Sequence, residues 1–265
     1  MAKSEIDLVK ITNKYVVVNK PSGIQCSGFK NYAHHLLPQL TKKFKALHPD
    51  RTLNASQFKL VHRLDKYVTG GLVVARDRKW AMKSSKSLSS KGNSPDSIIR
   101  RYVGLLPIPE DDSLKSGWIT YDIQAPQKDY KGSTETRKVL SYKALTIFQI
   151  LDELKLQPTK TQLSMYPKIY SGKCIVPIIL QLQTGRKNQL RDHTLQSFNT
   201  TLLNDDNFEQ FKYISMPRSG INIDVNSTIF KSNQIGLHSA FIEMPDKASS
   251  VSFVFPICAK QDRVL

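Results

Sequence analysis

The sequence predicts an α+β protein, and three observations lead to that class. Short runs rich in β-branched residues end at turn signals, which is typical of strands, and longer basic stretches have the composition of helices. No internal repeat or low-complexity linker interrupts the 265 residues, so we expect one domain spanning residues 1–265. The strand candidates are residues 14–19, 72–75, 97–106, 118–123, 136–150, 174–183 and 252–255, and the helix candidates are residues 32–47, 79–90 and 187–196.

Turn residues set the limits of these elements. The first strand candidate ends at Lys20-Pro21-Ser22-Gly23, where proline fixes the bend and removes a backbone donor. A predicted turn at Thr69-Gly70-Gly71 precedes the second strand candidate, and Thr184-Gly185-Arg186 ends the strand candidate that leads into the last helix. Loops or irregular segments are predicted at residues 92–96, 107–115, 125–135 and 152–172.

Net charge is the clearest compositional signal. The chain has 39 Lys and Arg residues against 22 Asp and Glu, which gives a formal charge of +17 and a pI near 9.7. Such an excess attracts polyanions, so RNA, DNA or an anionic membrane surface would fit. The positive charge is spread along the whole chain, and no apolar run approaches the length of a bilayer-spanning helix. The pattern therefore argues against a membrane helix.

The cysteines and the first residues give weaker indications of the cellular compartment. Cys26, Cys174 and Cys258 are widely separated and form no CxxC pair, so a zinc site or a disulfide framework is not expected and a reducing compartment is favoured. Each cysteine is most simply a small buried apolar residue. The first ten residues, MAKSEIDLVK, contain two acids and no arginine, which does not match an organellar presequence or a secretory signal.

The stretch most relevant to function is VHRLDKYVTGGLVVAR at residues 61–76. It places His62-Arg63-Leu64-Asp65 in front of a buried strand candidate. Taken alone, such a tetrapeptide is usually no more than a surface Arg-Asp pair. Two further motifs accompany it, NKPSG at residues 19–23 and TGRKNQLRDH at residues 184–193, together with Tyr102 in a strand candidate.

These motifs, in this order, resemble those of RluA-type RNA pseudouridine synthases. That family has a strand followed by N-K-P-x-G, then H-R-L-D, and later T-G-R-x-x-Q-[IL]-R-x-H. The sequence departs from the pattern at Val68 and Thr69, where the family usually has Thr and Ser, and at Asn188, where His is usual. The resemblance covers roughly residues 14–110 and 174–256.

The late region matches the family less closely. Only Leu203 and Asp205 remain of a G-x-P-x-x-G-D motif, residues 207–235 are interpreted as a variable insertion, and residues 237–240 resemble a late L-H-A element. The short N-terminus and this eroded motif resemble the divergent fungal mitochondrial members that modify large-subunit ribosomal RNA.

The resemblance implies a fold and a reaction. The fold would be a mixed, mainly antiparallel β-sheet core flanked by helices and loops, with a central RNA-binding cleft and no separate N-terminal RNA-binding domain. The reaction would break the N1–C1′ bond of uridine and rejoin the base through C5, with no cofactor and no metal. Asp65 would be the catalytic carboxylate and either attacks C1′ or acts at the base, Arg191 would keep it ionised, and Tyr102 would lie against the uracil.

The resemblance also implies four substrate-binding residues. Arg63, beside the catalytic acid, is long enough to fill the space that a flipped nucleotide leaves. Arg186 is expected to bind a phosphate, and His62 to support the loop that carries the acid. Lys20 either supports the site or is simply solvated.

Several alternatives remain at this point. Large-subunit rRNA is the preferred substrate and tRNA the second, while a non-catalytic RNA-binding or ribosome-assembly protein that keeps the fold is a reading from another class. The joint presence of Asp65, Tyr102 and Arg191 argues against that last reading, because RNA binding alone needs no such combination. We expect a mitochondrial protein, with the cytoplasm or nucleus as alternatives, and a monomer.

Overall fold

The computed structural model describes residues 5–28, 33, 35–49, 57–89, 97–111, 114–126, 139–165, 170–205, 234–245 and 250–256. Within these ranges, strands form one ten-stranded sheet and a separate two-stranded ribbon. The strands are β1 (Asp7–Ile11), β2 (Tyr15–Lys20), β3 (Lys59–Leu60), β4 (Thr69–Ala75), β5 (Ile99–Pro109), β6 (Gly117–Ile119), β7 (Ile123–Pro126), β8 (Val139–Tyr142), β9 (Thr146–Ile150), β10 (Lys173–Leu182), β11 (Leu237–Pro245) and β12 (Ser250–Val254). The helices are α1 (Leu36–Leu47), α2 (Arg78–Ser89), α3 (Lys160–Met165) and α4 (Gln189–Phe198), with a 3₁₀ turn at Asp152–Leu154.

The large sheet is mixed and mainly antiparallel, as predicted. Its strands lie in the order β1-β2-β4-β11-β5-β10-β9-β6, while β3 pairs with β4 and β12 pairs with β11. The parallel contact joins β4 to β11, where Thr69 faces His238 and Gly70 faces Ser239. Because β11 lies between β4 and β5, the strand that follows Asp65 and the strand that carries Tyr102 are close neighbours in the sheet.

Both faces of the sheet are covered at its centre. Val17 and Val73 pack with Ile242 on one face, whereas their neighbours Val16 and Val74 belong to the larger core on the opposite face. Alternate residues of a strand point to opposite faces, so a run of consecutive apolar residues is required where both faces are buried. The continuous apolar runs in β2 and β4 therefore follow from the central position of these strands.

The predicted turn at Thr69-Gly70-Gly71 is wrong, because these residues form the start of β4. Gly70 has φ +104°, and a Cβ atom there would lie 2.3 Å from the backbone oxygen of Ser239. A Cβ atom on Gly71 would lie 2.2 Å from the ring of Phe255. The two glycines permit a close approach of β11 and of the chain after β12, rather than a reversal of the chain.

Other predicted elements are found with shifted limits. The candidate at residues 118–123 is divided between β6 and β7, and residues 136–150 contain two strands, β8 and β9. The irregular segment 152–172 contains α3. The strands β1, β3 and β11 were not predicted. For β1 and β3 the reason is that short edge strands with charged residues give little periodic signal. Predictions for residues 92–96, 127–135 and 207–233 lie outside the described residues, as does the start of the first helix candidate.

The two cysteines within the described ranges, Cys26 and Cys174, are free and buried, as predicted.

In the described part of the chain, the helices are too short or too polar to cross a bilayer.

Candidate active site

Asp65 lies in the loop between β3 and β4, and its side chain is 28% exposed. Leu64 is buried in the main core and anchors this loop from below, whereas Arg63 is exposed to solvent. The amide of Val68 donates to the backbone oxygen of Asp65, which closes a short turn after the acid. A partly exposed carboxylate on an anchored loop can be reached by a ligand without movement of the core.

Lys20 organises the same loop from beneath. Its side chain is fully buried at the end of β2, and Nζ donates to the backbone oxygens of Pro21, Ile24 and Lys66 at 3.0, 3.0 and 3.1 Å. Burial lowers the pKa of Lys20 to about 8, although the nearby Cys26 and Asp65 oppose this shift. The ammonium group thus connects the NKPSG turn to the residue that follows Asp65.

Arg191, on α4, joins two carboxylates. Its Nε and Nη2 atoms donate to Oδ2 and Oδ1 of Asp205 at 2.6 and 2.5 Å, and Nη1 donates to Oδ2 of Asp65 at 3.3 Å. The side chains of Arg191 and Asp205 are only 6% and 1% exposed. Burial acts to lower the pKa of Arg191, but the charges of Asp205 and Asp65 outweigh it and raise the pKa. Arg191 therefore remains a cation beside Asp65.

Gln189 fixes the turn that starts α4. Its Oε1 atom accepts from the Thr184 hydroxyl at 2.8 Å and from the Arg186 amide at 3.0 Å. Its Nε2 atom donates to the oxygens of Leu145 and Thr146, each at 3.0 Å. With these bonds the side chain ties α4 to the start of β9, and it thereby sets the position of Arg191 two residues later.

Asn188 adopts the left-handed conformation immediately before α4, with φ 57°. Asparagine tolerates this region better than most residues other than glycine. The departure from the family pattern at this position is therefore compatible with the tight strand-to-helix connection.

Tyr102 lies on β5, opposite Leu180 of β10 and Ser239 of β11. Its side chain is buried, and burial raises the pKa of the phenol. Arg100 opposes this rise, whereas the negative charge of Asp65 adds to it, so Tyr102 is near both groups. The phenol consequently keeps its proton at neutral pH and is a hydrogen-bond donor rather than an ionised base.

The remaining predicted residues occupy different places. His62 lies behind the loop, where its Nε2 atom accepts from the amide of Val73 at 3.1 Å. Arg186 is exposed, donates from Nε to the oxygen of Lys143 at 3.2 Å, and lies 5.6 Å from the ring centre of Tyr142. The structure thus brings Asp65 and Arg191 into contact, and Tyr102 is close enough to Asp65 for its charge to act on the phenol.

The sequence interpretation did not identify two residues at this site. Asp205 was noted only as a remnant of a late motif, although it is the principal partner of Arg191. Its retention in an otherwise eroded motif was the available signal. Arg100 was not singled out, and its position two residues before Tyr102 on the same strand face was the only indication.

This arrangement provides one accessible carboxylate held beside a guanidinium. The second acid, Asp205, is buried and both its oxygens bind Arg191, so it is not available as a general acid. Glycosidases that hydrolyse the sugar bond usually employ two separate carboxyl groups. No group of three or more His, Cys, Asp or Glu side chains with metal-binding geometry occurs among the described residues.

A cavity of about 460 Å³ lies elsewhere, between β3 and α2. It is lined by Lys59, Arg78 and Lys86 among others, and the predicted site residues are absent from its lining. We therefore place the candidate site at the contact between Asp65 and Arg191.

Comparison with known proteins identifies the family of the chain. The family model described as RNA pseudouridylate synthase matches residues 14–196. The chain is 43% identical to the 21S rRNA pseudouridine(2819) synthase of Candida albicans over 98% of this chain and 99% of that protein. It is 29% identical to the protein of the same name in Saccharomyces cerevisiae over 91% of this chain and 80% of that protein.

A solved structure shares the fold. Human RNA Pseudouridylate Synthase Domain Containing 4 has a TM-score of 0.59 and 19% identity to the chain, covering 94% of this chain and 88% of that one. The family match includes Asp65, Tyr102 and Arg191, and the 43% identity extends over nearly the whole chain. By this match and this identity, the protein is a member of the RNA pseudouridylate synthase family.

Proposed function

We propose that this RNA pseudouridine synthase modifies mitochondrial large-subunit ribosomal RNA, at the uridine that corresponds to position 2819 of the 21S rRNA named for its relatives. The 43% identity to the Candida albicans protein supports this substrate. The proposal also places the protein in the mitochondrion and treats the chain as one catalytic domain that acts as a monomer. The observation that carries the mechanism is the 3.3 Å contact between Arg191 and the partly exposed side chain of Asp65.

In the proposed reaction, an oxygen of Asp65 attacks C1′ of the flipped uridine as the N1–C1′ bond breaks. The uracil leaves as an anion, turns within the site, and attacks C1′ through C5 while the bond between C1′ and Asp65 breaks. The proton on C5 is lost and N1 gains a proton, so atoms and charge balance without a cofactor. A carboxylate is suited to this role because it can leave the sugar again.

Arg191 holds Asp65 in position in this mechanism. Its cationic side chain donates one hydrogen bond to the carboxylate. Because Asp205 binds two of the guanidinium nitrogens, Nη1 is presented to Asp65 in a fixed position. The same geometry prevents Arg191 from following Asp65 as the carboxylate moves toward the sugar, so the ion pair weakens as the new bond forms.

Tyr102 is assigned to the base. Its ring offers a flat surface for uracil, and its neutral phenol can pass on the C5 proton only if it gives up its own proton at the same time. Such a relay agrees with the raised pKa of the buried phenol, since a permanently ionised tyrosinate is disfavoured there.

Lys20 and His62 are assigned to positioning, and two arginines to RNA. The ammonium group of Lys20 is fully occupied by three backbone oxygens, which supports a role in holding the Asp65 loop. Arg63 is exposed beside Asp65 and is suited to replace the flipped nucleotide in the RNA stack. Arg186 is exposed at the edge of the site and is suited to bind phosphate.

Tritium release from RNA labelled at C5 of uridine tests the proposal. The substrate is a transcript of the mitochondrial 21S rRNA region around the proposed uridine, and a tRNA transcript pool is the comparison. Asp65→Asn keeps the shape of the side chain but removes its nucleophilic oxygen, and we expect release at background level. Asp77→Asn is the matched control, because Asp77 caps α2 through the Trp80 amide at 2.7 Å and asparagine caps equally well.

The outcomes are distinct. Release by wild type and by Asp77→Asn, but not by Asp65→Asn, supports the catalytic assignment, and mapping of the product identifies the uridine. Release from tRNA but not from the 21S transcript would replace the substrate and keep the chemistry. Equal background release from wild type and Asp65→Asn on both RNAs, with RNA binding intact, would favour a non-catalytic RNA-binding protein.

A further inference from the structure

Arg100 is a buried cation that lacks an acidic partner among the described residues. It lies on β5 with 6% exposure, and its Nε atom is buried without a hydrogen-bond partner. Within the described ranges no hydrogen bond or ion pair to its guanidinium group is found, in contrast to Arg101, which donates to Gln181 at 2.8 Å. An unpaired buried charge is strongly unfavourable, so its presence calls for an explanation.

His62 supplies a second unpaired donor beside Arg100. Because its Nε2 atom accepts from the Val73 amide, the hydrogen of the neutral ring is assigned to Nδ1. That Nδ1 atom is also buried without a partner. Burial, assisted by the charge of Arg100, lowers the pKa of His62 to about 3, which shows that the two side chains are close. Two buried N–H groups therefore lie near each other, and neither has an acceptor among the described residues.

Arg100 borders the candidate active site. A Cβ atom on Gly185 would lie 3.5 Å from Nη2 of Arg100, so the guanidinium group rests against the turn before α4. Tyr102, two residues further along β5, responds to the charges of both Arg100 and Asp65. Arg100 thus lies against the turn before the helix of Arg191 and close to Tyr102, the residue proposed to contact the uracil.

Resting on the proposed function, we propose that Arg100, with the Nδ1–H group of His62, binds a negatively charged oxygen of the RNA substrate. Two sources have this chemistry. One is a phosphate oxygen next to the target nucleotide, and the other is a carbonyl oxygen of the uracil anion after it leaves the ribose. In either case the substrate provides an acceptor that the described part of the chain does not supply, and a fixed guanidinium binds it without reorganisation.

The test uses Arg100→Met, Arg100→Lys and the matched control Arg101→Met in the full-length protein. Thermal melting, RNA affinity at several salt concentrations and the single-turnover rate are measured with the 21S transcript. We expect Arg100→Met to melt no lower than wild type, because methionine removes an unpaired buried charge. We also expect its kcat/KM to fall by about 10- to 100-fold. Arg100→Lys should recover part of this loss, since it keeps the charge without the planar fork.

The affinity and rate data separate the two sources. A phosphate contact predicts weaker binding by Arg100→Met and a salt slope smaller by about 0.7. A contact to the uracil anion predicts unchanged affinity and slope with a slower single turnover. Either result supports the inference. Equal affinity and rate for Arg100→Met and Arg101→Met would overturn it. Losses of affinity or rate that only follow a lower melting temperature would also overturn it.

Failure of the proposed function is a separate result. If wild type gives no turnover on this RNA, the function proposal fails, and the affinity measurements then decide the inference alone. In that case, unchanged affinity and salt slope in Arg100→Met would refute a contact of Arg100 with the RNA.

Discussion

The guanidinium of Arg191 is bound chiefly to Asp205, although Asp65 is the acid that the motif assigns to it. Asp205 accepts two hydrogen bonds, at 2.6 and 2.5 Å, and Asp65 accepts one, at 3.3 Å. The shorter pair is also the more buried one. Arg191 is therefore held mainly by Asp205, and one nitrogen makes a longer contact with Asp65.

Asp205→Asn tests this division of roles. The change removes the buried negative charge that holds Arg191, so we expect a loss of about 3 kcal/mol in the free energy of unfolding. We also expect a lower turnover rate, because Arg191 can then turn toward Asp65 and hold it more tightly. Denaturant unfolding and single-turnover kinetics provide the measurements.

Asp152→Asn is the control for that experiment. Asp152 pairs with Lys155 at 3.2 Å on the surface, with 63% of its side chain exposed, so its replacement should leave both measurements unchanged. An Asp205→Asn protein as stable as the wild type would show that Asp205 does not hold Arg191.

His62 predicts an acid-sensitive component of stability. Its pKa in the folded protein is lowered to about 3, first by burial and then by Arg100, while the unfolded value is about 6.5. Between these values the unfolded chain binds a proton that the folded protein does not, so stability falls as the pH falls. The variant His62→Gln keeps an acceptor for the Val73 amide. Between pH 7 and 5 its free energy of unfolding should fall by about 2 kcal/mol less than that of wild type.

Urea unfolding of both proteins at several pH values from 7 to 5 measures this difference. Parallel curves for wild type and His62→Gln over that interval would mean that the pKa of the ring is not lowered in the folded protein.

Lys20 predicts a dependence of the same sign at alkaline pH. Burial lowers its pKa to about 8 in the folded protein, while the unfolded value is about 10.4. Between these values the folded protein has already lost the proton, so the cost of the buried charge is relieved as the pH rises. The stability of wild type relative to Lys20→Met should therefore increase by about 1.4 kcal/mol per pH unit above pH 8.

The relevant quantity is the difference between the two unfolding free energies, since titration of other groups is common to both proteins. A difference that stays constant from pH 7 to 10 would exclude a lowered pKa for Lys20.

Gly70→Ala tests the close contact between β4 and β11. The added methyl group would lie 2.3 Å from the Ser239 oxygen, on a residue with φ +104°. We expect a loss of about 3 kcal/mol or more in unfolding free energy, because steric overlap adds to backbone strain.

Gly172→Ala separates the two causes. Gly172 has φ +66° but nothing within 4 Å of an added Cβ atom, so its substitution should cost only about 1 kcal/mol from strain. If the two variants unfold at the same denaturant concentration, the contact with Ser239 is not what requires glycine at position 70.

The sequence by itself determined much of the local structure. The consecutive apolar residues of β2, β4 and β10 predicted buried strands, because burial on both faces removes the usual alternation. Thr184-Gly185-Arg186 predicted the break before α4, because a tight strand-to-helix turn requires particular backbone angles. These features depend on neighbouring residues, so the one-dimensional pattern contains them.

Only the tertiary structure decided which distant groups meet. The contact between Asp65 and Arg191 joins residues 126 positions apart, and the choice of Asp205 as the stronger partner depends on how α4 packs. Gly70 and Gly71 were predicted as a turn because a glycine pair usually marks one, but the close approach of Ser239 and Phe255 places them within a strand. The unpaired donors of Arg100 and His62 are likewise invisible in the sequence, since whether a buried polar group is satisfied depends on its neighbours in space.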